Sequence, residues 1–130
     1  MHLESNTTQV NKSQQQVFEF LTNMHNYEKI MPDSIQKFEI KGEDSFLFQL
    51  KGMPEIKLKM QEKIPYQTAV LGSGSDKFPF TLKAEIEEID AETSKVQLIF
   101  EGEFNSMMAM MIKSPLKKFI NTLSENLGKL

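Results

Sequence analysis

Along the middle of the chain, apolar and polar side chains alternate. Phe46, Phe48 and Leu50 are interleaved with Leu47, Gln49 and Lys51, and Ile56, Leu58 and Met60 with Lys57, Lys59 and Gln61. The same alternation sets Phe80, Leu82, Ala84 and Ile86 against Thr81, Lys83, Glu85 and Glu87. It also sets Val96, Leu98 and Phe100 against Lys95, Gln97 and Glu101. A period of two puts one set on each face of a strand, so these segments predict strands with one dry and one wet face. Fainter strands are expected near 35–41 and 66–72. The segments KGED, KGMP, IPYQ, GSGSDKFP and DAETS between them are turn-like. Connections this short imply antiparallel neighbours in a meander. Pro79 is expected at a strand start or a bulge.

From residue 13 to residue 34, and again after residue 104, the period is helical. Residues 2–10 are rich in Ser, Thr and Val and predict a first strand. Ser13 with Gln16 then fits a capping box, and Val17, Phe20, Leu21 and Met24 follow at helical spacing. A second short helix over about 26–31 ends before Pro32, because the residue preceding proline avoids the helical region. Asn105 or Ser106 caps a last helix that runs nearly to the end. Its stripe is Ile112, Leu116, Phe119, Ile120, Leu123, Leu127 and Leu130, enough to dock it on the dry face of the sheet.

The start of that helix departs from the pattern. Met107, Met108, Met110 and Met111 crowd one short stretch, and Pro115 follows. Met108 lies at the edge of the stripe and reads as core. Met107, Met110 and Met111 project where the second half of the helix is polar. Methionine is flexible and polarizable and suits surfaces that adapt to varied contents. The three therefore read as a pliable lining or lid, with a dimer interface as the alternative. Pro115 removes the N–H that would bond the Met111 carbonyl, and a kink there would swing the methionine half away from the docked half.

Composition narrows the function without naming it. The chain has 130 residues, 39% hydrophobic and 25% charged, in keeping with one globular domain. Every one of its 15 basic residues is a lysine and the net charge is -3. Without arginine there is no bidentate fork for phosphate or guanine, so nucleic acid is not an expected partner. The absence of cysteine excludes thiol chemistry. No apolar run is long enough to cross a bilayer, and the first residues lack the basic and apolar regions of a secretory signal. A cytoplasmic protein without stable membrane insertion is expected.

Candidate chemistry is sparse. Glu62 continues the inward phase of Leu58 and Met60, and burial would make it an acid or base, but a strand end there would leave it wet. His25 falls at a helix junction, where a local hydrogen-bonding role competes with that of a general base. His2 and His25 are not at ligand spacing for a metal. GSGS at 72–75 lacks the Lys-Ser/Thr of a phosphate loop and reads as a turn. No cofactor is expected.

Strand, two short helices, antiparallel meander and long final helix form an order that resembles the helix-grip fold of the START-like, or SRPBCC, superfamily. That superfamily includes birch-pollen-allergen-like proteins, polyketide cyclases and coenzyme-Q-binding proteins. SQQQVFEFLTNMHNYEKIMPD is similar to its opening helix pair and MMAMMIKSPLKKFINTLSENL to its gripped helix. The likeness covers residues 1–130. It implies an α+β fold with a curved antiparallel sheet of about six to seven strands wrapped around the C-terminal helix. It also implies an apolar cavity between them. Here the wall would be Phe46, Phe48, Leu58, Met60, Phe80, Leu82, Leu98 and Phe100. Met107, Met108 and Met111 would lie opposite, with Tyr27 and Met31 closing one end. The expected function is binding or transport of a lipid, isoprenoid or aromatic metabolite. One alternative is a cyclase or dehydratase using Tyr27, His25 or Tyr66. The other is an interaction module using the methionine surface, with a homodimer as one form.

Overall fold

A computed structural model describes residues 1–73 and 79–130. The period-two segments form an antiparallel meander: β3 (Ile35–Gly42), β4 (Ser45–Leu50), β5 (Ile56–Ile64), β6 (Thr68–Ser73), β7 (Phe80–Glu88) and β8 (Ser94–Gly102). β7 begins directly after Pro79, as expected. The expected turn at 72–75 lies partly outside the described residues.

The first strand is not one strand but two, β1 (His2–Glu4) and β2 (Thr8–Val10), both paired with β8. Among the described residues the sheet therefore has eight strands, in the order β1-β8-β7-β6-β5-β4-β3, with β2 beside β8. Ser5 accounts for the break. Its backbone N–H donates to the Leu98 carbonyl at 2.8 Å, but its hydroxyl, not its carbonyl, accepts from the Leu98 N–H at 2.9 Å. A buried N–H needs an acceptor, and once the side chain supplies one the backbone is free to leave the ladder.

α1 (Gln14–Thr22) starts at the Ser13 capping box, whose two reciprocal bonds measure 3.1 and 3.0 Å. It buries Val17, Phe18 and Leu21. Phe18, not Phe20, is the buried phenyl ring; Phe20 is half-exposed at the core's edge. The second helix is 3₁₀ over Met24–Ile30. α2 (Ser106–Leu127) is capped by the Asn105 side chain, which accepts from the Met108 N–H at 2.8 Å, and it runs unbroken through Pro115.

The second half of α2 is pinned to the β1–β2 break. Buried Ser124 bonds Thr8 at 2.7 Å and the Asn6 carbonyl at 2.9 Å. Asn126 donates to the Ile30 carbonyl at 2.8 Å, and the Lys117 ammonium donates to the Glu4 carbonyl. These polar anchors join Phe119, Ile120, Leu123 and Leu127, which bury the stripe against the sheet. The first half, by contrast, is held by its cap and by half-buried Met108 and Ile112.

Candidate functional site

Between α2 from Met108 to Ile120, a stretch that joins that lightly held half to the start of the pinned one, and the inner face of β4, β5, β7 and β8 lies a cavity of about 110 Å³. Phe48, Leu58, Phe80, Leu82 and Phe100 form its sheet wall, and Met108, Ile112, Leu116 and Phe119 its helix wall. The lining grades from exposed at Pro54, Glu55 and Lys57 to buried at Leu58, Leu82 and Phe119. The open side is therefore where the β4–β5 turn meets the start of α2.

Two glycines shape this mouth. Gly52 holds φ at 82° in the turn between β4 and β5, closed by Met53 N–H to the Leu50 carbonyl at 3.0 Å. The left-handed value suits glycine and delivers Met53 and Pro54 to the rim. At Gly102 a Cβ would come within 2.7 Å of the Phe104 ring and 2.9 Å of Phe80. Glycine there lets Phe104 stack over Phe100 at 6.2 Å, with Phe80 5.3 Å beyond.

Of the residues expected to line a cavity, Phe48, Leu58, Phe80, Leu82, Phe100 and Met108 meet in this one. Tyr27 and Leu98 border a separate void of about 10 Å³ deeper in the core, to which Leu82 also contributes. Phe46, Met31 and Met60 are packed into the core instead. Phe46 lies between Tyr27 at 4.8 Å and Phe38 at 5.3 Å, and those rings fill the space. Met107 and Met111 do not face the cavity. They are 75% and 71% exposed, and Met110 is 83% exposed. The inner side of the half-helix is served by Met108 and Ile112, and none of the described residues buries the outer side. Met53, Pro54 and Phe104 sit in turns, where no periodicity marks a face. Ile112, Leu116 and Phe119 were legible as docking residues but not as lining.

The candidate acids and bases lie elsewhere. Glu62 is exposed, because a bulge between Met60 and Glu62 shifts the register. His25 is exposed on the 3₁₀ helix. Tyr66 holds φ at 68° in the β5–β6 turn and meets the edge of Phe18 at 5.7 Å. Tyr27 is buried, and its hydroxyl donates to the Leu21 carbonyl at 2.7 Å. Burial pushes its pKa up, away from the range of a working acid or base. Its neutral form is thus tied to the fold. Stability is retained below the ordinary tyrosine pKa of about 10 and falls as pH rises beyond it, because the unfolded chain ionises first. Tyr27→Phe is expected to cost about 1–2 kcal/mol in urea unfolding by orphaning the Leu21 carbonyl, and to remove part of that alkaline loss. An unchanged midpoint in Tyr27→Phe would contradict this structural role. Among the described residues, no group of three or more His, Asp or Glu is placed to hold a metal ion. No described helix is long and apolar enough to cross a membrane.

No family model matches the chain, and no curated protein matches it by sequence. Solved structures do match its fold. One is a START superfamily protein from Mycobacterium smegmatis, at TM-score 0.70 and 12% identity, covering 98% of this chain and 94% of that one. Another is norcoclaurine synthase from Thalictrum flavum, in complex with dopamine and hydroxybenzaldehyde, at TM-score 0.75 and 10% identity, covering 99% and 84%. A third is a conserved protein from Geobacillus kaustophilus, at TM-score 0.70 and 14% identity, covering 99% and 93%. The fold is thus START/SRPBCC-like, a helix grip in which a curved antiparallel sheet holds the C-terminal helix.

Proposed function

We propose that this protein binds a small apolar molecule in the cavity between the inner sheet face and α2 from Met108 to Ile120. The observation that carries this is the lining. Every buried wall residue among those described is apolar, Ser73 is half-buried, and the charged members, Glu55 and Lys57, stand at the exposed rim. An apolar cavity of roughly 150 Å³ stays dry and takes up benzene. The void here, about 110 Å³, is of that order. It suits one aromatic ring or a short aliphatic chain. A larger isoprenoid or lipid needs the half-helix to move outward. That half is the freer one, because the polar anchors of α2 among the described residues lie beyond Pro115. The synthase of similar fold that holds dopamine and hydroxybenzaldehyde is a precedent for single-ring contents. Native mass spectrometry of protein purified from its own host should show a small adduct that is lost on denaturation. A ligand-free mass, together with no uptake of an apolar fluorescent probe, would sink the proposal.

A second reading concerns the outer side of the same half-helix, which we propose meets a second copy of this chain. Met107, Met110, Met111, Ser114 and Lys118 are exposed and share one face at helical spacing. In an antiparallel pair centred between Met110 and Met111, each Met110 rests on the partner's Met111. Each Met107 then meets the small Ser114, and exposed Glu103 approaches the partner's Lys118. A parallel pair would instead set the lysines together. The patch is small against the roughly 800 Å² per partner of a standard interface, so the dimer should be weak and concentration-dependent. Sedimentation should show it, and Met107→Glu or Met111→Glu should abolish it. A monomer at all concentrations, or a dimer indifferent to both substitutions, defeats this reading.

A further inference from the structure

We infer that Leu82 sets the length of alkyl chain the cavity accepts, by closing it off from the second void deeper in the core. The inference rests on the cavity being a binding site. Leu82 is the one described residue that lines both spaces. The register explains why two spaces exist. Across the inner face, Leu71, Leu82 and Phe100 form one row of cross-strand partners, and Ala69, Ala84 and Leu98 form the next. Side chains two residues apart on a strand share a face, so these rows are consecutive layers. The row of leucines and phenylalanine is bulky. The next contains two alanines and leaves the void of about 10 Å³ beneath Tyr27 and Leu123. The helix follows the same boundary: Ile120 faces the outer cavity, and Leu123, nearly one turn on, faces the inner void.

Chain contents therefore run inward from the rim past Phe80 and Phe100 and stop against the isobutyl group of Leu82. A straight alkyl chain is the class this geometry selects. Where the Leu82 side chain is shortened, such a chain can extend into the alanine layer, where a ring cannot.

The test is isothermal titration of the protein with straight-chain alcohols of increasing length. With the unmodified protein, affinity should rise roughly fourfold per methylene and then stop at a cut-off length. Leu82→Ala deletes three side-chain carbons and should move the cut-off outward by about two carbons. Leu82→Val should move it in the same direction by less, and serves if the alanine variant fails to fold. Leu123→Ala enlarges the inner void without opening the boundary and should leave the cut-off in place. A cut-off fixed in folded Leu82→Ala and Leu82→Val overturns the gate while leaving the cavity reading intact. So does a Leu123→Ala shift as large as that of Leu82→Ala. Failure of every alcohol to bind the unmodified protein removes both.

Discussion

Ile112→Trp is expected to lower affinity for an apolar probe at least about a hundredfold while leaving the fold intact. Ile112 is half-buried and lines the cavity from the helix side. An indole at that position points into a void of about 110 Å³ and occupies most of it. Displacing the equivalent of about three to four methylenes of ligand burial, at ~0.8 kcal/mol each, gives the hundredfold. The fold tolerates the change because the added atoms fill space instead of competing for it. The thermal midpoint should stay within a few degrees, or rise. Isothermal titration with the same probe on both proteins is the measurement. Undiminished affinity in a folded variant would move the binding site away from this cavity.

The fold was largely legible because period-two alternation is a direct record of which strand face is dry. It placed β3–β8 within a few residues of their observed limits. Alternation does not report depth, however. Phe46 is in phase with Phe48, yet only Phe48 reaches the cavity, because Tyr27 and Phe38 occupy the space around Phe46. Those rings arrive from the 3₁₀ helix and β3, whose positions relative to β4 depend on tertiary packing. The break between β1 and β2 was equally hidden. A serine that uses its own hydroxyl to satisfy a neighbouring N–H looks, in sequence, like any strand serine.

The methionine stretch shows a different limit. The helical wheel placed Met107, Met110 and Met111 off the docking stripe, and that is where they are. The lining or lid expected from them does not form on that face, and the dimer alternative is the one their exposure leaves open. They stand in water. Burying a methionine is worth about 1.5–3 kcal/mol, but only if some surface is available to cover it. Among the described residues, α2 has one sheet beneath it and no element above. The cavity lining came instead from the docking stripe, since Ile112, Leu116 and Phe119 both hold the helix and face the void.

That double duty makes Phe119 the position where stability and capacity should part most widely. Its ring stacks on Phe48 at 4.9 Å, and it is 4% exposed. Phe119→Ala removes the stack and leaves a hole, a loss of about 3–5 kcal/mol in denaturant unfolding. The hole is continuous with the cavity, so the same substitution enlarges the space for a guest. Probe affinity should therefore hold or improve while the unfolding midpoint falls, the reverse of Ile112→Trp. The two effects are also linked. A ligand at about a hundred times its dissociation constant adds ~2.7 kcal/mol to the folded state, which should restore much of the deficit. A Phe119→Ala protein that is destabilised but gains nothing from saturating probe would mean that the space behind the ring is not open to ligand. The cavity would then be a packing defect.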